Sequence, residues 1–178
     1  MAVENALKFA NRCGLNMMIH KYPKSEEGTP IEVDFANECG LELASDITWA
    51  TGGKYAGKIV GFPNPIEGTF RLSTQIMTKK LLTLVTGADA TAETTEYVFK
   101  NDTSAGAIYY VIEADTVWQN AEGKTETESI VIHKALPKRA YNVVYNGAGD
   151  PISVDIEFEL LAEGEDQKVV TITKDSNP

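Results

Sequence analysis

Residues 66–87 read IEGTFRLSTQIMTKKLLTLVTG, and a change of period inside this stretch decides the fold. In its first half Ile66, Gly68, Phe70 and Leu72 fall on one side, and Glu67, Thr69, Arg71 and Ser73 on the other. That alternation is the mark of a half-buried strand. At Ser73–Thr74 the period lengthens. Met77, Leu81, Leu84 and Val85 then recur at helical spacing, with Lys79, Lys80, Thr83 and Thr86 off that face. Ser73 or Thr74 can supply the N-cap oxygen and Gly87 can close the helix, which predicts a helix over 74–86. One amphipathic helix laid against β-sheet is the plan.

The segments before this unit are strand-like. Residues 1–14 are mixed and read as an arm or first turn, with Ala6, Leu7, Phe9 and Ala10 compatible with a short helix. Leu15–Tyr22 is an apolar run ending at Pro23. Ile31, Val33 and Phe35 alternate with Glu32, Asp34 and Ala36, and Leu41, Leu43, Ile47 and Trp49 continue in that style. Ala50–Pro65, ATGGKYAGKIVGFPNP, has no steady period, and its glycines and prolines exclude a long helix. A loop of this length inside a compact domain points to function.

After residue 87 the chain reads as β throughout. Tyr97–Phe99 is a short strand, Asn101–Gly106 a turn, and Ala107–Trp118 a long strand. Asn120–Gly123 turns the chain into an antiparallel Thr125–His133. Arg139–Tyr145 follows. Pro151 opens the cleanest alternation, with Ile152, Val154, Ile156, Phe158 and Leu160 facing one way and Ser153, Asp155, Glu157 and Glu159 the other. Gly164-Glu165-Asp166 turns into Lys168–Lys174, and 175–178 is a tail. Strands joined by short turns around one helix predict a single mainly β domain, an antiparallel sandwich or barrel.

The bulk properties narrow the function. A chain of 178 residues can bury a full core. A net charge of −10 argues against a protein that grips nucleic-acid phosphates. No signal peptide or membrane anchor is expected, because no apolar run nears the ~20 residues of a span. Cys13 and Cys39, without a secretory signal, read as reduced thiols.

Motifs for chemistry fail one by one. GGKYAGKI at 52–59 approaches the phosphate-loop pattern, but Ile59 replaces the magnesium-binding hydroxyl and VGFPNP cannot begin a helix. His20, His133, Cys13 and Cys39 lack zinc-ligand spacing. No G-x-S-x-G turn occurs. Asp155, Glu157 and Glu159 lie ~7 Å apart along one strand face and read as a solvated stripe. Trp49, Trp118, Tyr109 and Tyr110 suit a sugar-stacking platform, although such residues more commonly pack across strands. A patterned β domain without a reactive site, cofactor or metal points to a non-enzymatic protein that works through its surface.

The order of elements resembles the major tail tube proteins of long-tailed, siphovirus-like bacteriophages. GTFRLSTQIMTKKLLTLVTG is similar to that family's strand and flanking helix, and AIYYVIEADTVWQNAEGKTETESIVIHKA to its mid-chain hairpin. YNVVYNGAGDPISVDIEFELLAEGEDQKVVTITKD looks like its two closing strands. The resemblance implies a structural virion protein, assembled in the host cytoplasm, whose hexameric rings stack into the tube for DNA ejection. Its partners would be copies of itself and the tail tip, tape measure and tail terminator proteins, with DNA passing through unbound. The 50–65 loop matches in position the family's inter-subunit loop, making Gly52, Gly53, Lys54, Tyr55, Lys58 and Phe62 candidates for contacts between rings. Asp155, Glu157 and Glu159, or Glu126 and Glu128, become candidates for an acidic lumen that repels phosphates. The alternatives are the tube of a contractile tail or phage-like bacteriocin, and a carbohydrate-binding β-sandwich.

Overall fold

The computed structural model describes residues 10–25, 28–33, 36–52, 57–75, 78–86, 106–119, 125–138 and 154–174. The strands are β1 (Ala10–Lys21), β2 (Ile31–Val33), β3 (Ala36–Ala44), β4 (Ile47–Gly52), β5 (Gly57–Pro63) and β6 (Glu67–Thr74). After the helix α1 (Lys79–Thr86) come β7 (Tyr110–Gln119), β8 (Thr125–Pro137), β9 (Val154–Leu160) and β10 (Val170–Lys174). The protein is mainly β with one short helix, as the periodicity predicts. Expected features at 1–9, 87–105, 120–124, 139–153 and 175–178 lie outside the described residues, as does Met77.

Eight strands form one antiparallel sheet in the order β2-β1-β7-β8-β9-β6-β3, with β10 added beside β8. The strand β8 organises it. One edge of β8 pairs with β7, while the other pairs first with β10, at Glu128–Ile132, and then with β9, at Ala135–Pro137. Between these two partners a register shift inserts one residue: Tyr110 opposes Ala135, but Ile112 opposes Ile132. The buried positions change parity there, from Glu128 and Ile132 to Ala135 and Pro137. Such a bulge bends a strand and re-aims its side chains. It lets β8 serve both halves of the sheet.

The core lies between those halves. Met17 and Ile19 of β1, Ile112 of β7 and Ile132 of β8 meet Phe70 and Leu72 of β6 and Ile156, Phe158 and Leu160 of β9. Phe70 and Phe158 are register partners with ring centroids 6.1 Å apart, tilted by 42°. The helix adds Leu81, Leu84 and Val85, each at most 2% exposed. Eight residues cannot hold a helix in water alone, so this packed face stabilises it.

Gly68 sits within the same buried layer. A Cβ there would lie 2.6 Å from Leu43 Cδ2, 3.0 Å from the Glu42 carbonyl and 3.1 Å from Leu160 Cδ1. The backbone oxygen cannot move aside cheaply. Gly68→Ala should therefore cost about 1–3 kcal/mol by overpacking, read as a lower urea midpoint. Gly40→Ala, in open space on β3, should stay within about 0.5 kcal/mol of the parent.

The structure corrects three expectations. The helix begins at Lys79 rather than at 74, because Thr74 is the buried last residue of β6, paired with Ala36 and Val154. Its cap is Thr78, whose Oγ1 accepts a hydrogen bond from the Leu81 amide at 3.2 Å. Residues 10–14 belong to β1 rather than to an arm. The aperiodic Ala50–Pro65 segment is mostly hairpin, β4 against β5. A register shift after Ala50 breaks its alternation, and both faces are wet, so no in–out pattern could form. The turn at Gly164–Asp166 stands as expected, closed by the Glu163–Lys168 bridge, and leads to β10 on the edge of β8.

Candidate assembly surfaces

Two surfaces stand apart from the ordinary solvated exterior. The first is the β4–β5 hairpin, whose strands pair, among the described residues, only with each other. Its base is tied by Asn64, whose side-chain carbonyl accepts from Thr48 Oγ1 at 3.0 Å, and whose backbone oxygen accepts from Ser45 Oγ at 2.9 Å. The Asn64 amide in turn donates to the Asp46 carbonyl at 2.8 Å.

Side chains on both hairpin faces are apolar and exposed. Ile47 is 52% exposed, Trp49 43%, Val60 48% and Phe62 56%, with Leu43 and Ile66 flanking them. Trp49 opposes Gly61, where a Cβ would come within 3.1 Å of the indole and 2.9 Å of Ile47 Cγ2. Gly61 is thus the floor on which Trp49 and Ile47 rest. The Lys58 ammonium lies 4.9 Å from the Trp49 ring centroid, a cation–π contact. Of the loop candidates, Gly52, Lys58 and Phe62 fall on this hairpin, while Gly53, Lys54 and Tyr55 lie outside the described residues. Sequence reasoning missed Ile47, Val60 and Ile66, whose signal was a polar-looking segment with too many large hydrophobes.

An isolated two-stranded ribbon is marginal in water, and apolar patches of this kind mark interaction sites. The hairpin is shaped to be covered.

The second surface is the outer face of β3, β6 and β9. Directly opposed residues of antiparallel strands share a face, so register builds three rows: Glu38–Ser73–Asp155, Gly40–Arg71–Glu157 and Glu42–Thr69–Glu159. Lys138, just beyond β8, joins Glu157 by a short hydrogen bond, and Arg71 Nε stands 3.7 Å from its other oxygen. The Lys138 hydrogen bond, with the Lys138 and Arg71 charges adding to it, holds the Glu157 carboxyl below its ordinary value of 4.5. Five carboxylates face two cations, so the patch is acidic. Gly40 leaves a shallow depression of about 740 Å³ among Glu38, Glu42, Arg71 and Asp155.

The five acidic lumen candidates do not form one set. Asp155 and Glu159 are exposed on this face, and Glu157 lies between them, already neutralised by its partners. Glu38 and Glu42 join them; the sequence shows their alternation along β3, but only the pairing register puts them beside β9. Glu126 is exposed on β8. Glu128 is only 5% exposed and lies 3.3 Å from Nζ of the exposed Lys174, so its carboxylate is covered and ion-paired. The cause is β10, which lies over that edge of β8 at the Lys174–Glu128 register.

The remaining sequence candidates have structural partners. His20 Nε2 stands 3.4 Å from Glu113, and His133 lies 2.7 Å from Thr171 Oγ1 and 3.3 Å from Glu163. Among the described residues no three His, Cys, Asp or Glu side chains converge as metal ligands. Of the aromatic quartet, Tyr109 is engaged by the Lys134 ammonium at 4.5 Å, and Tyr110 packs against the core. Neither is open for sugar stacking. No helix among the described residues is long and apolar enough to cross a membrane.

The fold has counterparts among solved structures. Over 92% of this chain and 93% of the other, at 12% identity and a TM-score of 0.52, it is similar to a chain in the 6-fold symmetrised cryo-EM structure of the anti-feeding prophage (AFP) baseplate. A chain in the sheath–tube complex of an extracellular contractile injection system, PVC in the extended state, gives a TM-score of 0.48 at 9% identity over 97% of both chains. No protein-family profile and no curated protein sequence matches.

Proposed function

We propose that this chain is a structural subunit of a phage-tail-like particle, polymerising with copies of itself into stacked hexameric rings that form a tail tube. The observation that carries the reading is the β4–β5 hairpin, which exposes large apolar side chains on both faces and pairs with no other described strand. A subunit that meets its neighbours through such a projection covers it in every copy but the last. Likeness of fold to a component of a six-fold prophage baseplate supports the same reading. That neighbour is not a long-tailed phage tube, so the proposal embraces the contractile-tail alternative; co-purification with a sheath protein would separate the two.

Within this reading the acidic β3–β6–β9 face, with Asp155 and Glu159, turns toward the channel, where fixed negative charge repels DNA phosphates. Tail tip, tape measure and terminator proteins would cap and gauge the tube. No reaction is assigned to the chain.

Negative-stain electron microscopy of the purified protein over a concentration series tests the proposal. Rings, or tubes of uniform width with an open channel, are expected. In those tubes an Asp155→Cys chain labelled with a maleimide–gold cluster should place density inside the channel; density on the outer wall would remove this face from the lumen. Dispersed monomers, also in the presence of preformed particle tips, would overturn the tube reading.

A further inference from the structure

Among the described residues, exposed large hydrophobic side chains occur in only two places: the hairpin with its flanks, from Leu43 to Ile66, and Ile172 on β10. Ile172 is 52% exposed, although its register partner Ile130 is half-buried and the next partner pair, Val170–Ile132, belongs to the core cluster or packs against it. The apolar layer therefore runs out of the core along β10 and ends uncovered. In addition, β10 pairs only with β8, so its far edge pairs with no described strand. An open edge beside an exposed isoleucine invites another chain.

Charge distinguishes the two places. Residues 47–65 contain Lys54 and Lys58 and no carboxylate, in a chain of net charge −10. Around β10, Glu126, Glu128, Glu163, Glu165 and Asp166 face Lys168 and Lys174, each of which is already paired, with Asp166 at 3.1 Å and with Glu128 at 3.3 Å. A cationic, apolar projection and an acidic strand edge with an apolar centre are complementary.

We infer that the β4–β5 hairpin of one copy docks its Val60–Phe62 face on Ile172 and the open β10 edge of a second copy. This rests on the self-assembly proposed above and names the surface that receives the hairpin. Donor and acceptor are different parts of the subunit, so the contact is heterologous, the kind that builds a ring when its rotation closes. A hairpin meeting another hairpin would instead give a two-fold dimer and no ring.

Disulfide trapping tests the contact. In a Cys13→Ala, Cys39→Ala background, Phe62→Cys together with Ile172→Cys should give a ladder of covalent multimers on non-reducing gels, while each single cysteine alone gives none. Ile172→Lys, at a site exposed enough to keep the fold, should weaken self-association at least tenfold in sedimentation velocity with an unchanged thermal midpoint. A covalent dimer from Phe62→Cys alone would overturn the heterologous contact. So would assembly without a 62–172 ladder in which Ile172→Lys associates like its parent; that result leaves the tail-subunit reading standing. Absence of any self-association in the parent chain, with preformed particle tips present, would overturn both.

Discussion

Val60→Ser with Phe62→Ser is expected to abolish the proposed self-assembly and leave a monomer that melts at the parent temperature. Both side chains are already about half exposed, at 48% and 56%, so the isolated fold loses little when they are removed. Covering the remaining half of each against a neighbour contributes about 1.5–3 kcal/mol per contact. That is one to two decades in the association constant at every interface of a ring. Serine also keeps the strand from acquiring a charge, so repulsion plays no part in the loss. Sedimentation velocity and electron microscopy read the assembly, and circular dichroism the fold. A double variant that forms rings at the parent concentration would show that the hairpin is not what joins the copies.

The second large effect concerns the core. Phe158→Ala should lower the unfolding free energy by about 3–5 kcal/mol, a large share of the 5–15 kcal/mol ordinary for a domain. Phe158 is 0% exposed, stands opposite Phe70 on the neighbouring strand, and belongs to the layer between the two halves of the sheet. Its removal forfeits the transfer term, a cavity term and a tilted ring pair of about 0.5–1.5 kcal/mol. Urea unfolding should show a lower midpoint with an unchanged slope. A loss below about 1 kcal/mol would mean that the β6–β9 layer is not the centre of the fold.

What could be read from the sequence depended on whether one side of a segment is wet and the other dry. On β9 the alternation is complete, and Val154, Ile156, Phe158 and Leu160 are buried as read. The helix face of Leu81, Leu84 and Val85 was equally legible, because a single stripe meets the core. The hairpin was not legible: with both faces in solvent, selection for an in–out pattern is absent, and its bulge scrambles what period there is. Thr78 was hidden behind the earlier Ser73 and Thr74, since nothing local says that the strand continues to Thr74. Glu128 looked like Glu126 two residues before it. Only the arrival of β10 from the far end of the chain covers one carboxylate and pairs it with Lys174, while the other stays exposed. Long-range pairing of this kind leaves no trace in local spacing. The acidic face had the same difficulty: Asp155 and Glu159 could be seen along one strand, whereas Glu38 and Glu42 join them only through register.

The parity change in β8 constrains how this chain can vary over evolutionary time. Upstream of the bulge the dry positions are even-numbered, and downstream they are odd. Deleting one residue at His133 or Lys134 would remove the bulge: Ala135 would stay opposite Tyr110 and on the face of Ile132, but β8 would lose the bend that carries it from β10 to β9. Substitutions in that segment can be absorbed one side chain at a time, but a length change cannot. Divergent relatives with this architecture should gain and lose residues in their turns and keep the count from Glu128 to Pro137 fixed.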